Sequence, residues 1–195
     1  MSSRKAMAEK RVDAFVTAVN SAVRYDWPVD SVPELCRLPG DDWCPWRIVP
    51  SSGADWLPAL EARLPVRFPL TFTALVSRYL FPAFGCGSIQ FYGVGVTGPD
   101  AEFEELRLAM LQNPALDGFL CQHGLLPFAR TEEGLYDRIC FDFRNGSSSD
   151  EPPVVQIDHE EVLIHERIHL VRTLSPASHL LIEEMTANPV ISEPW

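Results

Sequence analysis

The sequence predicts a fold in which helices accompany a sheet of paired strands. Residues 3–24 and the segment after Ser175 carry apolar residues at helical spacing, which is the pattern of amphipathic helices. In the second half, RICFDF (138–143) and PVVQID (153–158) are short apolar runs separated by a polar loop rich in glycine and serine. Runs of this length bounded by turn residues are typical of strands. We therefore expect helices to cover a sheet built mainly from the second half of the chain.

The composition describes an acidic domain with enough apolar residues for a sizeable core. The chain has 195 residues, 46% of them hydrophobic, and a formal net charge of -11. This length fits one domain, with room for an appended segment. Nucleic acids and anionic membranes both attract basic proteins, so the charge argues against these two classes of partner. An acidic protein is better suited to a basic protein partner.

The sequence predicts neither a secreted nor a membrane protein. Its N-terminus carries charge, and no apolar run of a signal peptide follows. The uncharged stretch from Tyr79 to Pro99 contains five glycines and two prolines, which predict turns and a strand instead of a membrane-spanning helix. The five cysteines are odd in number and include no CxxC pair, which disfavours a disulfide framework or a cysteine zinc site. A reducing cytoplasm is therefore the expected location.

The N-terminal third combines a helix with an irregular segment. A helix is predicted over residues 3–24, whereas the prolines between Tyr25 and Gly53 interrupt any long helix there. Four tryptophans lie in or just after this segment. We expect them to fasten residues 1–53 onto the domain that follows, and an exposed aromatic patch for a partner is the alternative.

Short helices and strands follow one another through the rest of the chain. The predicted elements are a helix over 54–63, a helix between Pro69 and Pro82, a strand over 86–92, a helix over 100–111, a short helix from Asn113 to Gly124, and strands over 125–130, 138–143 and 153–158. A hairpin through residues 162–171 is predicted to continue the sheet, and Ser175 opens a final helix. We expect the tail, residues 189–195, to be loosely held.

Glycines 93, 95 and 98 match the G-x-G-x-x-G pattern of dinucleotide-binding proteins. Pro99 follows the third glycine, so the next helix begins too late for that glycine to serve helix–sheet packing. The first turns of this helix carry acidic residues, among them Glu102, Glu104 and Glu105, which would repel a phosphate. We interpret the motif as a glycine-rich turn.

Residues 165–169 read HERIH, which matches the H-E-x-x-H signature of zinc peptidases. The motif works when one helix places both histidines on the same face and the glutamate activates a zinc-bound water. A capping box formed by Asp158 and Glu161 would permit a helix here. The alternation of polar and apolar residues around Ile168 instead favours a hairpin at the edge of the sheet.

We prefer the hairpin, and with it a protein without catalytic residues, metal or cofactor. The alternative is a zinc hydrolase that uses His165, Glu166 and His169. Other catalytic patterns are weaker: the chain has no G-x-S-x-G elbow and no Walker-type G-K-[ST].

Residues 64–185 resemble the SUKH superfamily, in its Smi/Knr-like branch. The matching pieces occur in the family's order and read LPVRFPLTFTALVSRYLFPAF, GSIQFYG, a segment ending in LLPFA, YDRICFDF and PVVQIDHEEVL, before the final helix. The resemblance implies an α+β domain over residues 54–188, with a central, mainly antiparallel sheet and surrounding helices. It also implies a non-enzymatic immunity protein that binds and neutralises a toxin, often a nuclease, or a related scaffold or regulatory domain.

The expected partner is accordingly a protein, such as a basic toxin domain. Two acidic groups are candidate contacts, since opposite charges speed association. They are Asp158, Glu160 and Glu161 in one group, and Glu102, Glu104 and Glu105 in the other. Solvation of these charges without any partner is the alternative interpretation. The sequence predicts no particular oligomeric state.

Overall fold

Helices and short strands make up the computed structural model, which describes residues 3–22, 25–51, 56–94, 113–131, 137–144 and 150–192. The described α-helices are α1 (Ser3–Ser21), α2 (Trp56–Glu61), α3 (Leu70–Arg78), α4 (Phe119–Gln122), α5 (His159–His165) and α6 (Ser178–Ala187). The described strands are β1 (Trp27–Pro28), β2 (Trp43–Cys44), β3 (Val49–Pro50), β4 (Tyr79–Leu80), β5 (Phe84–Cys86), β6 (Ile89–Phe91), β7 (Leu125–Thr131), β8 (Arg138–Asp142), β9 (Val154–Ile157) and β10 (Leu170–Ser175). A single π-helical turn, Pro114–Gly118, precedes α4.

Strands β5 to β10 form one six-stranded sheet in which each strand pairs antiparallel with the next one in sequence. The pairs β1–β2 and β3–β4 are separate two-stranded ribbons. Helices lie on both faces of the large sheet, and an apolar core fills the space between the sheet and the helices on each face. The predicted α+β fold, with a central antiparallel sheet and surrounding helices, is therefore confirmed.

Strand β8 illustrates how the chain fills both faces of the sheet. Ile139 and Phe141 point into the larger core, whereas Cys140 points into the smaller one, as the alternation of side chains along a strand requires. The larger core contains buried residues of α1, α3 and α6. The smaller core is formed against the π-helical turn, α4 and α5 by Leu116, Leu120, Leu125, Cys140, Val155, Ile157 and Val162.

The N-terminal segment contributes directly to the larger core. Phe15 of α1 lies 6.5 Å from Phe84 and 6.2 Å from Phe91, measured between ring centroids. Trp46 is fully buried and lies 5.4 Å from Phe84. Trp43, by contrast, is 56% exposed, so the tryptophans of this segment do not all serve the core.

The predicted strand over 86–92 is two strands, β5 and β6, joined by a tight turn. Gly87 has a φ of 62° in this turn, a left-handed conformation that glycine adopts without steric cost. The turn reverses the chain, so Cys86 lies opposite Ile89. The sequence pattern missed the break because apolar residues continue on both sides of Gly87.

The edge strand β5 is covered by the C-terminal segment. Ile191 forms a bridge with Cys86, and the Gly87 amide donates to the Val190 carbonyl at 2.8 Å. A Cβ at Gly85 would lie 1.8 Å from the Ser192 hydroxyl oxygen, so a larger residue would force the Ser192 side chain to move. The expectation of a loosely held tail is therefore wrong for the described part, which ends at Ser192.

Parts of the prediction fall outside the described residues. The glycine motif from residue 95 onward and the predicted helix over 100–111, with Glu102, Glu104 and Glu105, belong to this group. None of the described helices combines the length and apolar character that crossing a bilayer requires.

Candidate functional site

Residues 158–175 leave the sheet as a helix and return to it as its edge strand. Asp158 caps α5, since its Oδ1 accepts hydrogen bonds from the amides of Glu160 (2.9 Å) and Glu161 (3.2 Å). Val162 is buried in the smaller core, and Ile168 packs against it. The hairpin predicted through 162–171 is therefore wrong. A helix forms because Asp158 accepts hydrogen bonds from its first amides and because the helical conformation buries Val162 in the smaller core.

Helix α5 ends at the first histidine of HERIH. Glu166 has a φ of 48° and stands in the left-handed region, which terminates the helix. His165 and His169 consequently do not share a helical face, although the zinc motif needs that arrangement. His165 and Glu166 are exposed, and the Nδ1 atom of His169 lies 3.4 Å from Oδ2 of Asp158.

A different set of potential metal ligands meets at the base of α5. The ligand atoms of Asp137, Asp158 and His159 lie within 4.8 Å of one another. Oδ1 of Asp137 accepts from the His159 ring at 2.8 Å, and Oδ2 accepts from the Gln156 amide at 2.8 Å. With Asp158 engaged as the cap, these carboxylates already join β8 and β9 to the start of α5. The cluster is explained by its structural bonds.

The fold brings the predicted acidic contacts Asp158, Glu160 and Glu161 together at the start of α5. The three carboxylates differ in the bonds that they form within the protein. Asp158 caps the helix, and Glu161 accepts a hydrogen bond from Nε of Arg167 at 3.0 Å. Glu160 is exposed and forms no ion pair among the described residues. One of the three carboxylates is therefore available to a partner without loss of an internal bond.

Four large apolar side chains are exposed close to these acids. They are Leu163 (47% exposed), Ile164 (68%), Leu170 (41%) and Val171 (45%), and we refer to them as the α5–β10 surface. Two lie on α5 and two begin β10, at either end of the connection over 166–169. The Asp158 amide closes this excursion by donating to the His169 carbonyl at 3.1 Å.

Sequence reasoning missed this surface because it assigned these residues to a hairpin. A signal was present in the run Val162, Leu163 and Ile164. Three consecutive apolar residues cannot all face one side of a helix. If Asp158 caps a helix, at least one of them points away from the face that packs on the sheet.

One cavity, of about 300 Å³, lies beside the starts of α1 and α6, and the charged groups on its wall are paired. Arg4 on its wall pairs with Asp150, and Arg11 pairs with Glu183. Glu151 accepts hydrogen bonds from the amide and hydroxyl of Thr71 and from the Ser178 hydroxyl. These bonds connect the helices to one another, so the charged groups on the cavity wall serve the stability of the fold.

Burial disfavours a nucleophilic role for the cysteines. All five are free thiols and all are buried. Burial raises the pKa of Cys36, Cys86 and Cys121 to about 12, so these thiols stay protonated near neutral pH. A thiolate is the reactive form.

No protein-family model matches the chain, and no curated protein and no solved structure matches it either. Functional inference for this chain thus depends on its described residues and on the resemblance found in its sequence.

Proposed function

We propose that this chain is a non-enzymatic protein-binding domain of the immunity type, which neutralises a toxin in the cytoplasm. The observation that carries the proposal is the α5–β10 surface. Large apolar side chains grouped on an exposed part of the molecule mark protein contacts more often than isolated ones do. Here Leu163 and Ile164 lie at the end of α5, and Leu170 and Val171, which begin the edge strand β10 five residues later, are also at least 41% exposed.

The two edges of the sheet support a binding role for β10 in particular. The C-terminal segment hydrogen-bonds along β5 and buries that edge. In the part of the chain that the structure describes, no segment lies along the outer side of β10. Proteins normally cover or blunt an exposed edge. Because no described segment covers β10, the exposed apolar side chains at its start are accessible to a partner.

Charge favours a basic partner. The chain carries a net charge of -11, and the exposed carboxylates of Glu160 and Glu166 flank the α5–β10 surface. A basic toxin domain would be attracted by this field and would associate faster as a result. The SUKH resemblance, which implies immunity proteins of this kind, agrees with an acidic binding domain on an antiparallel sheet. A scaffold or regulatory role with another basic protein is the related alternative.

The test is to identify the partner and then to measure its activity. The tagged chain is expressed in its native cell, crosslinked and purified, and the co-purifying proteins are identified. We expect a basic protein that forms a defined complex with the purified chain and loses its toxic activity in that complex. A partner that binds and keeps full activity would instead indicate the scaffold role. Failure to obtain any stoichiometric partner would contradict the proposal.

The zinc hydrolase that uses His165, Glu166 and His169 is the second candidate. Its support is the sequence motif alone, since the helix ends at His165 and the two histidines do not share one helical face. Elemental analysis of the purified protein separates the two proposals. Stoichiometric zinc that is lost in a His165→Ala variant, but kept in a His123→Ala control, would favour the hydrolase.

A further inference from the structure

We infer that the α5–β10 surface binds an apolar segment of the partner flanked by lysine or arginine, and that it holds this segment through side chains without adding a strand to the sheet. The inference rests on the proposed binding function and specifies its contact surface. Three features of the described residues carry it: the apolar centre, the charges beside that centre, and the irregular pairing of β10.

The apolar centre is available without any rearrangement of the fold. Val162 fastens α5 to the smaller core, so the following residues, Leu163 and Ile164, turn away from it. Leu170 lies opposite Ile157 at the start of β10 and is still 41% exposed. A partner that covers these side chains removes apolar area from water, and such central contacts usually dominate binding energy.

The unpaired charge beside this centre is negative on balance. Arg167 is paired with Glu161, whereas Arg172, whose Nε donates to the neutral amide oxygen of Gln156 at 2.9 Å, keeps its positive charge. Within the described residues, Glu160 and Glu166 have no ion-pair partner. A cationic side chain would therefore find a free carboxylate at either end of α5.

The same charges disfavour a second copy of this chain as the occupant. A two-fold contact places the same patch of each copy against the other. Glu160 and Glu166 of one copy would then approach the carboxylates of the other, which is repulsive. An apolar segment bordered by positive charge avoids this repulsion and matches the surface better.

The backbone of β10 is poorly suited to pairing with an added strand. Its register against β9 shifts between Leu170 and Arg172 and again between Thr173 and Ser175. Bulges of this kind, and charged residues such as Arg172, are devices that prevent edge-to-edge pairing. The side chains at the start of β10 stay exposed nonetheless. Recognition through side chains follows from this combination.

Synthetic peptides test the surface without knowledge of the partner. Three peptides of equal length are compared: a Leu/Val core flanked by lysines, the same core flanked by glutamates, and a Ser/Thr core flanked by lysines. Amide chemical shifts of the isotope-labelled protein report where each one binds. We expect the lysine-flanked apolar peptide to shift resonances of residues 160–173 and to bind about tenfold more tightly than either control.

Other outcomes of this titration would overturn the inference. Equal binding of both lysine-flanked peptides would mean that charge alone is recognised. Shifts confined to another part of the protein would place the contact elsewhere. A peptide methylated on alternate backbone nitrogens should bind as well as its parent, since a large loss would indicate strand addition.

Variants connect the surface with the natural partner. Ile164→Ser and Val171→Ser should each weaken binding of the partner about tenfold, whereas Leu35→Ser, which alters an exposed leucine elsewhere, should not. Melting curves establish that each variant is folded.

A partner that binds all of these variants equally would refute the surface and leave the binding function standing. Peptide binding at residues 160–173 without any natural partner would support the surface and contradict the proposed function. Light scattering that reveals a dimer dissociated by Ile164→Ser would make a second copy the occupant and overturn the inference.

Discussion

Asp117 and Arg138 form an ion pair inside the smaller core, with 2.6 Å between Oδ1 of the aspartate and Nε of the arginine. The Asp117 side chain is 1% exposed and the Arg138 side chain 12%. Burial raises the pKa of Asp117, although hydrogen bonds from Arg138 oppose this shift. The pair fastens the π-helical turn onto β8, and both charges are largely buried.

Removal of one partner of this pair should be far more harmful than removal of both. Asp117→Ala removes the carboxylate that pairs with the largely buried Arg138 charge, and we expect a loss of about 3–5 kcal/mol in the free energy of unfolding. The double variant Asp117→Leu, Arg138→Met should recover most of this loss, because neither charge then needs solvation. Urea unfolding at neutral pH measures both values. A loss below about 1 kcal/mol for Asp117→Ala would mean that water reaches Arg138.

The ion pair also marks the limit of prediction from this sequence. The apolar run RICFDF correctly predicted a strand, because this property depends mainly on neighbouring residues. The partner of Arg138 lies 21 positions away, in a turn that no periodic pattern describes. Its identity depends on how the turn packs across the sheet, which local sequence does not encode.

The same reasoning explains the error at α5. Two local signals competed there, the cap at Asp158 and the alternation around Ile168, and neither was decisive alone. Burial of Val162 in the smaller core favours the helix, and that core is built from distant residues such as Leu116 and Leu120. The candidate contact surface depends on this choice. It therefore became visible only with the tertiary structure.

Glu166 should be replaceable by glycine with a gain in stability. Its φ of 48° lies in the left-handed region, where a side chain is strained and glycine is not. We expect Glu166→Gly to raise the free energy of unfolding by about 0.5–1 kcal/mol. His165→Gly, one residue earlier and still helical, should lower it by a similar amount. Thermal melting compares the two variants, and a destabilising Glu166→Gly would contradict the left-handed termination of α5.

Helix α1 should be indispensable for the larger core. Phe15 is fully buried and lies near Phe84 and Phe91 of the sheet. Phe15→Ala is expected to cost about 3–5 kcal/mol, because it removes a buried ring and leaves a cavity. Met7→Ala on the same helix is the control, since Met7 is largely exposed and its loss should stay within about 0.5 kcal/mol. Similar, small losses for both variants would indicate that residues 1–53 are only loosely attached to the domain.

Asp142 should make the protein sensitive to acid. Its carboxylate accepts hydrogen bonds from the Arg144 amide (3.0 Å) and from Nε (2.9 Å) and the terminal nitrogen (2.7 Å) of the Arg144 guanidinium. Burial alone would raise the pKa of Asp142, but these bonds outweigh it and hold the pKa below its ordinary value of 3.8. A lowered pKa in the folded state means that folding favours the ionised form of this carboxylate. Ionisation of Asp142 therefore stabilises the folded protein. This stabilisation is present above the unfolded pKa and is lost as the pH falls through the folded one.

Comparison of the wild type with Asp142→Asn isolates this contribution. Near neutral pH the variant should be less stable by about 1.5–3 kcal/mol, the range expected for hydrogen bonds to a charged group. The difference should stay constant down to about pH 5 and shrink below about pH 4, where the wild-type carboxylate also becomes neutral. Urea unfolding at each pH measures the difference, and Glu160→Gln, at an exposed carboxylate, should reveal no comparable change. A difference that widens as the pH falls would require the pKa of Asp142 to be raised by folding, which its bonds to Arg144 argue against.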